Sequence, residues 1–313
     1  MSHQDLHHTR QTHSTFTATL DTLLRSTSIF LRNKRIFLSI FALTTFPLSF
    51  LLFSLSFSTR SLRFQIHHLE AVAVFASTHL ESLFLRLDSR INAVSLLRIK
   101  ALFFLPCYAL SLLAAVTSVS STSLAYGGKR PSFVTALNAV RLTWKRPLVT
   151  SICVYVLLLA YAPIPRVLAA VLSGSPAVEI PVVVIGLGVE VYLMAVMSVG
   201  MVVSIAEERC GWEAIRVGWG LMAGRRVSGW VLSGGFLLVA TGIIRSGGNG
   251  MEEEVEGDYW WSVVGKEMGL MGMYGMVVMW SYVVATVFYC DCRTCHGFPT
   301  THHHPSHMEV IMV

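Results

Sequence analysis

Charged side chains are scarce in this sequence: 13% of its 313 residues are Asp, Glu, Lys or Arg. Soluble domains carry roughly 25% charged residues, so this chain has about half the charge that a soluble fold of its length needs. Hydrophobic residues make up 53% of the chain, and its mean hydropathy is +0.60. Because the apolar residues gather in long runs, the sequence predicts an all-α, polytopic helical bundle in a lipid bilayer.

Sequence motifs of catalysis are missing as well. The chain contains no Walker loop, nucleophile elbow or zinc-protease helix. No soluble stretch is long enough for a barrel catalytic domain, which typically needs about 250 residues. We therefore predict a protein that is not an enzyme, without catalytic residues, cofactor or metal ion. A membrane-embedded lipid enzyme is a minor alternative.

Six apolar runs are long enough to cross a bilayer, which takes about 20 mainly apolar residues. A barrel strand alternates over about 10 residues, whereas these runs are continuously apolar, so helices are predicted. The first run has 22 residues, more than the core of a signal peptide, and is interpreted as an anchor. The six runs are Ile36–Phe57, Ala101–Tyr126, Pro147–Ile164, Ile180–Ile205, Val227–Ile244 and Met268–Cys290.

Basic residues cluster between these runs, where they set the orientation of a membrane protein rather than form a nucleic-acid patch. The fifth-to-sixth loop, by contrast, carries the acids Glu252 to Asp258 with no basic residue before Lys266. Both termini are therefore predicted to face the cytosol. The membrane itself is predicted to be that of the endoplasmic reticulum or the plasma membrane. The basic clusters are Arg10, Arg25, Arg32, Lys34 and Arg35, then Lys129, Arg130, Arg141, Lys145 and Arg146, then Arg209, Arg216, Arg225 and Arg226.

Three domains follow from this pattern. Residues 1–35 form a cytosolic segment with an amphipathic helix, residues 36–290 form the six-helix membrane domain, and residues 291–313 form a disordered cytosolic tail rich in Cys and His. Further amphipathic helices are predicted at the interface, within residues 58–100 and before the third run. These helices either pad the bundle or bind a cytosolic protein partner or anionic lipid. The apolar faces comprise Phe16, Leu20, Leu23, Leu24 and Leu31, then Leu80, Leu83, Phe84, Leu87, Ile91 and Val94, then Phe133, Leu137, Val140 and Trp144.

The most distinctive local pattern is the connector after the fourth run. An apolar helix ends in the acidic pair Glu207 and Glu208, Gly211 marks a turn, and Ala214 opens a short helix that closes at Gly224 and two arginines. We expect a structural elbow that returns the chain to the membrane, with acids and arginines placed to suit the helix dipole.

This connector motif resembles a family of plant multi-pass membrane proteins of unknown function. It is more distantly similar to the membrane domain that accompanies some bacterial glycerophosphodiester phosphodiesterases. The resemblance covers about residues 20 to 295 and implies a membrane fold without a known activity. Gly218 stands where the family usually has a serine. Further matching pieces are Leu31 to Leu38, Thr143-Trp144-Lys145-Arg146, and Val287-Phe288-Tyr289-Cys290 with Cys292.

Glu190 interrupts the fourth run. An ionisable group within a span is a candidate functional residue, because it is costly in lipid. Glu190 lies within about one turn of the outer face, so it either lines a transport site, with Arg166 as its partner, or extends to the headgroups. Both interpretations stay open.

Small residues and cysteines mark the last run and the chain that follows it. The glycines predict close helix packing, inside the chain or in a homo-oligomer. The cysteines are candidates for juxtamembrane acylation, with a zinc site as the alternative. The glycines are Gly265, Gly269, Gly272 and Gly275, and the cysteines are Cys290, Cys292 and Cys295.

The sequence as a whole predicts a non-catalytic membrane protein that acts as an interaction or organising component. A transporter of a small solute or lipid, using Glu190, is the alternative. No feature of the sequence names a biological process or a ligand.

Overall fold

The computed structural model describes residues 3–75, 79–172, 176–249 and 260–295, and these ranges are helical apart from short turns. No strand occurs in them, which confirms the predicted all-α class. The helices are α1 (His3–Arg32), α2 (Lys34–Ile40), a π-helical segment (Phe41–Thr45), α3 (Phe46–Phe75), α4 (His79–Tyr126), α5 (Phe133–Thr143), α6 (Lys145–Tyr161), α7 (Pro163–Leu172), α8 (Pro176–Ala206), α9 (Gly211–Met222), α10 (Arg226–Asn249) and α11 (Trp260–Cys295).

Six stretches of these helices are long and apolar enough to cross a membrane. Each overlaps one of the six predicted runs, so the polytopic helical bundle is confirmed with six candidate spans. Each is longer than the run that predicted it, because less apolar residues at the ends continue the helix. The stretches are Lys34–Ile66, Leu87–Tyr126, Lys145–Val171, Ile180–Ala206, Arg226–Gly247 and Gly265–Cys295.

Prolines explain two irregularities in these spans. The π-helical segment ends two residues before Pro47, whose ring excludes the carbonyl four residues back and whose nitrogen cannot donate. Thr44 lies in this wide turn and its hydroxyl donates to the Ile40 carbonyl over 2.7 Å. In the third span, α6 ends at Tyr161 and α7 begins at Pro163, because proline fits the first turn of a helix. The third span therefore continues beyond its predicted end.

Residues 58–100 were predicted to hold an amphipathic helix at the membrane interface, and the interfacial position stays a prediction. Their helical character is correct, but α3 extends to Phe75, and α4 runs without a break from His79 into the second span. Of the predicted apolar face, Leu87, Ile91 and Val94 are exposed. The leucine side chains earlier in this segment lie outside the described part.

The N-terminal helix α1 packs through the face opposite to its leucine stripe. Thr22 and Ser26 are buried, whereas Leu24 and Leu31 are 62% and 63% exposed. Each buried hydroxyl donates to a carbonyl one turn back, at 3.0 Å for Thr22 and 2.7 Å for Ser26. Small hydroxylated side chains let α1 approach its neighbours closely. Their hydroxyl groups are hydrogen-bonded to carbonyls of the same helix, so they need no water molecule as a partner. The apolar face of α1 is thus left for lipid or a partner.

The chain forms two compact units. Unit 1 comprises residues 1–37, 116–239 and 280–313, and unit 2 comprises residues 38–115 and 240–279. Unit 1 carries 16 Lys and Arg against 9 Asp and Glu, whereas unit 2 carries 8 against 9. The positive charge of the protein therefore belongs to unit 1. The core of unit 1 is built from valines of α8 and α11, which are Val196, Val202, Val203, Val283 and Val287.

Of the four glycines predicted to pack in the last span, only Gly275 does so within the described chain. A Cβ atom there would lie 3.1 Å from the Phe41 ring and 3.2 Å from the Thr45 carbonyl oxygen, whereas a Cβ atom at Gly265, Gly269 or Gly272 would meet nothing within 4 Å. Among the described residues these three glycines have no close neighbour, and their packing inside the chain stays a prediction. The homo-oligomer alternative stays a prediction.

The tail predicted from residue 291 begins later than expected. Helix α11 continues to Cys295, because Asp291 and Cys292 are buried there at 7% and 1% exposure and extend the packed face of the helix. Residues 296–313, with the histidines of the tail, lie outside the described residues. So does the acidic loop of residues 250–259. The predicted disorder of the tail stays a prediction.

Candidate functional site

The last two turns of α11 hold two polar clusters in unit 1. Tyr289 and Arg293 are one turn apart and share a side of the helix, while Asp291, two residues from each, lies about 200° around it. The first cluster, here called the connector cluster, comprises Glu207, Arg209, Tyr289 and Arg293. The second, here called the aspartate cluster, comprises Thr22, Arg25, Tyr126 and Asp291. Together they tie α11 to three other parts of unit 1, which are the turn between α8 and α9, helix α1 and helix α4.

The connector cluster centres on the carboxylate of Glu207, whose side chain is only 20% exposed. The Tyr289 hydroxyl donates to Glu207 Oε1 over 2.6 Å, and Arg293 Nη1 lies 3.4 Å from the same oxygen. Arg293 also donates to the Tyr289 hydroxyl over 2.9 Å, and Arg209 Nε lies 3.6 Å from Glu207 Oε2. A phenol and two guanidinium groups thus compensate one part-buried negative charge, which would be costly alone.

The turn between α8 and α9 explains the position of Gly211. Its φ of +61° is in the left-handed region, which glycine adopts without steric cost. Its N–H donates to Thr150 Oγ1 over 2.9 Å, and Thr150 in turn donates to the Arg146 carbonyl. The turn is therefore bonded to α6. The neighbouring Glu208 contacts Arg146 over 3.4 Å, but its side chain is 85% exposed, so this pair contributes little.

Helix α9 lies against α8 at backbone contact. A Cβ atom at Gly218 would be 2.9 Å from the Gly200 nitrogen, and one at Gly200 would be 3.1 Å from the Ile215 Cα. These distances account for glycine at both positions, because a side chain there would meet backbone atoms. Ala214 is fully buried on the same helix, and Gly224 is exposed in the turn that leads to α10. The predicted elbow is thus a short helix folded back onto the fourth span.

The aspartate cluster was missed by sequence reasoning. Asp291 accepts a hydrogen bond from the Tyr126 hydroxyl at 3.0 Å, while Thr22 Oγ1 lies 3.3 Å and Arg25 Nη1 3.6 Å from its carboxylate. The ends of α1, α4 and α11 therefore meet at one buried carboxylate. The available signal was an acid on the same helix as a run of buried valines, but that acid was assigned to a disordered tail.

Glu190 lies apart from both clusters. It is half-buried on α8, and no hydrogen bond or ion pair to its carboxylate occurs among the side chains that the structure describes. Helix α7 touches α8 nearby, because a Cβ atom at Gly186 would lie 2.6 Å from the Pro165 Cβ. Arg166 follows Pro165, but its side chain lies outside the described part. The predicted pairing with Glu190 stays a prediction.

The three candidate acylation sites differ in their environment. Cys292 is 1% exposed, Cys290 is half-buried and Cys295 is exposed. Transfer of an acyl group needs an accessible thiol, which Cys295 offers and the buried Cys292 does not; acylation of these cysteines stays a prediction. Among the described residues, no group of three or more metal-ligating side chains comes together.

These observations define the class of protein as an α-helical membrane protein with six candidate spans and a folded-back connector helix. The chain belongs to the family described as a domain of unknown function, DUF8558, whose model matches residues 8–305. No curated protein and no solved structure matches the chain.

The contact between α8 and α9 predicts opposite effects for two neighbouring Gly→Ala substitutions. Gly218→Ala should lower the thermal midpoint of the detergent-solubilised protein, because forcing a methyl group into backbone contact costs about 1–3 kcal/mol. Gly220→Ala should leave it unchanged or raise it, because a Cβ atom there meets nothing and alanine is the better helix former by about 1 kcal/mol. Equal midpoints would contradict the close approach.

Proposed function

We propose that this protein is a non-catalytic, membrane-embedded interaction or organising component. The observation that carries the proposal is the connector cluster, which bonds the turn between α8 and α9 to α11, together with the Gly211–Thr150 hydrogen bond that joins the same turn to α6. A site built this way holds an element in place. What it holds is α9, whose outer face presents Trp212 at 63% and Trp219 at 45% exposure, with the exposed Arg216 on the same helix.

Two surfaces of unit 1 suit a cytosolic protein partner. Exposed tryptophan and arginine are the residue types enriched in interaction hot spots, and the face of α9 carries both. The leucine stripe of α1 is the second surface. A homo-oligomer is a further proposal, since the open glycines of the last span leave a narrow face for a second copy.

In the proposed orientation both termini face the cytosol. The proposed membrane is that of the endoplasmic reticulum or the plasma membrane. The excess of basic residues in unit 1 supports this orientation, because cytosolic segments of membrane proteins are enriched in Lys and Arg. Membership of a plant family, and the distant relationship to the membrane domain of glycerophosphodiester phosphodiesterases, rest on the sequence resemblance alone and are part of this proposal.

Two positions test the orientation. A membrane-impermeant maleimide should label the native, exposed Cys210 from the cytosolic side of sealed vesicles, in a variant whose other cysteines are serine. A single cysteine introduced as Glu256→Cys should be labelled only from the opposite side. Labelling of both from one side would contradict the six-span arrangement.

Site-specific cross-linking tests the proposed interaction. A photoreactive benzoylphenylalanine at position 212 should give discrete protein adducts in native membranes, because the α9 face contacts a partner. The same group at position 238, an exposed leucine in the middle of α10, should give lipid adducts only. The proposal fails if both positions give only lipid adducts.

Transport of a small solute or lipid is the second candidate, and the half-buried Glu190 favours it. If the protein is an interaction component and not a transporter, Glu190→Gln should leave its thermal midpoint unchanged or slightly raised, because the substitution removes an ionisable group from a span. A Glu190→Cys variant should then react weakly with water-soluble maleimides. Strong reaction from each side, under separate conditions, would instead identify a transport pathway. The matched control is Ser198→Cys, which places a cysteine at another half-buried position of α8. Its maleimide labelling is the reference against which the labelling of Glu190→Cys is compared.

A further inference from the structure

Unit 2 contains a cavity of about 440 Å³ between α3, α10 and α11. Tightly packed protein interiors leave few voids larger than a water molecule, whereas pockets for small ligands measure about 300–1,000 Å³. Most of the lining is apolar and includes Phe53, Phe57 and Met271, but Arg60 and Glu267 line it as well. Neither residue was identified as a site by the sequence.

The cavity has an apolar part and a charged part. Tyr274 contacts Phe53 with ring centroids 6.0 Å apart, and Gly275 contacts Thr45 and Ser49, so α3 and α11 run in opposite directions. Arg60 lies two turns after Phe53, and Glu267 lies two turns before Tyr274. Two turns span about 10 Å along a helix. Arg60 and Glu267 therefore lie at the same level of the cavity, away from the aromatic pair.

Gly247 makes room for the charged part. A Cβ atom at Gly247 would lie 3.3 Å from Glu267 Oε2 and 3.2 Å from Phe53 Cε1. The carboxylate of Glu267 thus lies directly against the backbone of α10. Both residues lie near the ends of their candidate spans, Lys34–Ile66 and Gly265–Cys295, and one acid and one base line the same cavity there.

We propose that this cavity binds a zwitterionic membrane amphiphile, with the head of a phosphoethanolamine lipid between Arg60 and Glu267. The guanidinium of Arg60 receives the phosphate, for which its planar donors are suited. The carboxylate of Glu267 accepts hydrogen bonds from the ammonium group. The first part of the acyl chain lies along Phe53, Phe57 and Met271. The head group of an anionic lipid has no ammonium group, so it could not form this ion pair with the Glu267 carboxylate.

Native mass spectrometry of the full chain in detergent tests the assignment on the unmodified protein. Three probes are titrated: lysophosphatidylethanolamine, lysophosphatidylglycerol with the same acyl chain, and free phosphoethanolamine. The first should bind saturably and about tenfold or more tightly than the second, since a charge-assisted hydrogen bond is lost with the anionic head. Free phosphoethanolamine should bind weakest, because it lacks the acyl chain.

Single substitutions separate the two charges. Glu267→Gln should weaken lysophosphatidylethanolamine about tenfold and leave lysophosphatidylglycerol unchanged or tighter, whereas Arg60→Gln should weaken both. Lys266→Gln is the matched control, because Lys266 is exposed beside Glu267 and does not belong to the cavity lining. It should change neither affinity.

Three results would overturn the proposal. Equal affinity of the two lysolipids for the unmodified protein would remove the zwitterion selectivity, and this comparison does not depend on any variant folding. Equal binding of free phosphoethanolamine would remove the assignment to a lipid. An unchanged lysolipid preference in folded Glu267→Gln would remove the role of the carboxylate.

Discussion

The hydrogen bond from Tyr289 to Glu207 joins the end of the last span to the turn that follows the fourth, across 82 positions of sequence. The connector helix depends on this bond, because a carboxylate that is mostly shielded from water needs donors within the chain. Arg293 and Arg209 supply the remaining charge compensation. On the opposite side of α11, Asp291 does the same for α1 and α4. One helix end can serve both clusters because residues two apart on a helix point in nearly opposite directions.

The six spans were predictable because each needs only a continuous run of apolar residues, which is a local property. The connector motif was also visible, since an acidic pair, a glycine turn and a basic end lie within 20 residues. Its partners were not. Tyr289 and Arg146 were noted as parts of separate sequence pieces, and only the fold shows that Glu207 meets the first and Glu208 the second. Pairings over such distances depend on tertiary packing, which a single sequence does not display.

The faces of helices were the least predictable feature, and the membrane explains why. In a soluble protein an apolar stripe indicates the buried face. In lipid an apolar face is equally stable toward the bilayer, while small and hydroxylated residues allow helices to approach. Helix α1 follows the second rule, with Ser26 buried and Leu24 exposed. The glycine spacing of the last span does not by itself identify a packed face: close approach needs a neighbour, and among the described residues a Cβ atom would meet one at Gly275 and none at Gly269.

The charged residues of the two units differ in whether they line a cavity. In unit 1, Glu207 and Asp291 are bonded to protein groups, so their charge is compensated by the fold itself. In unit 2, Glu267 and Arg60 line a cavity large enough for a small ligand. Glycine at position 247 allows the Glu267 carboxylate to lie against α10, and a side chain there would displace it. The cavity, with one charge of each sign at the same level, is therefore better explained by an occupant that carries both charges.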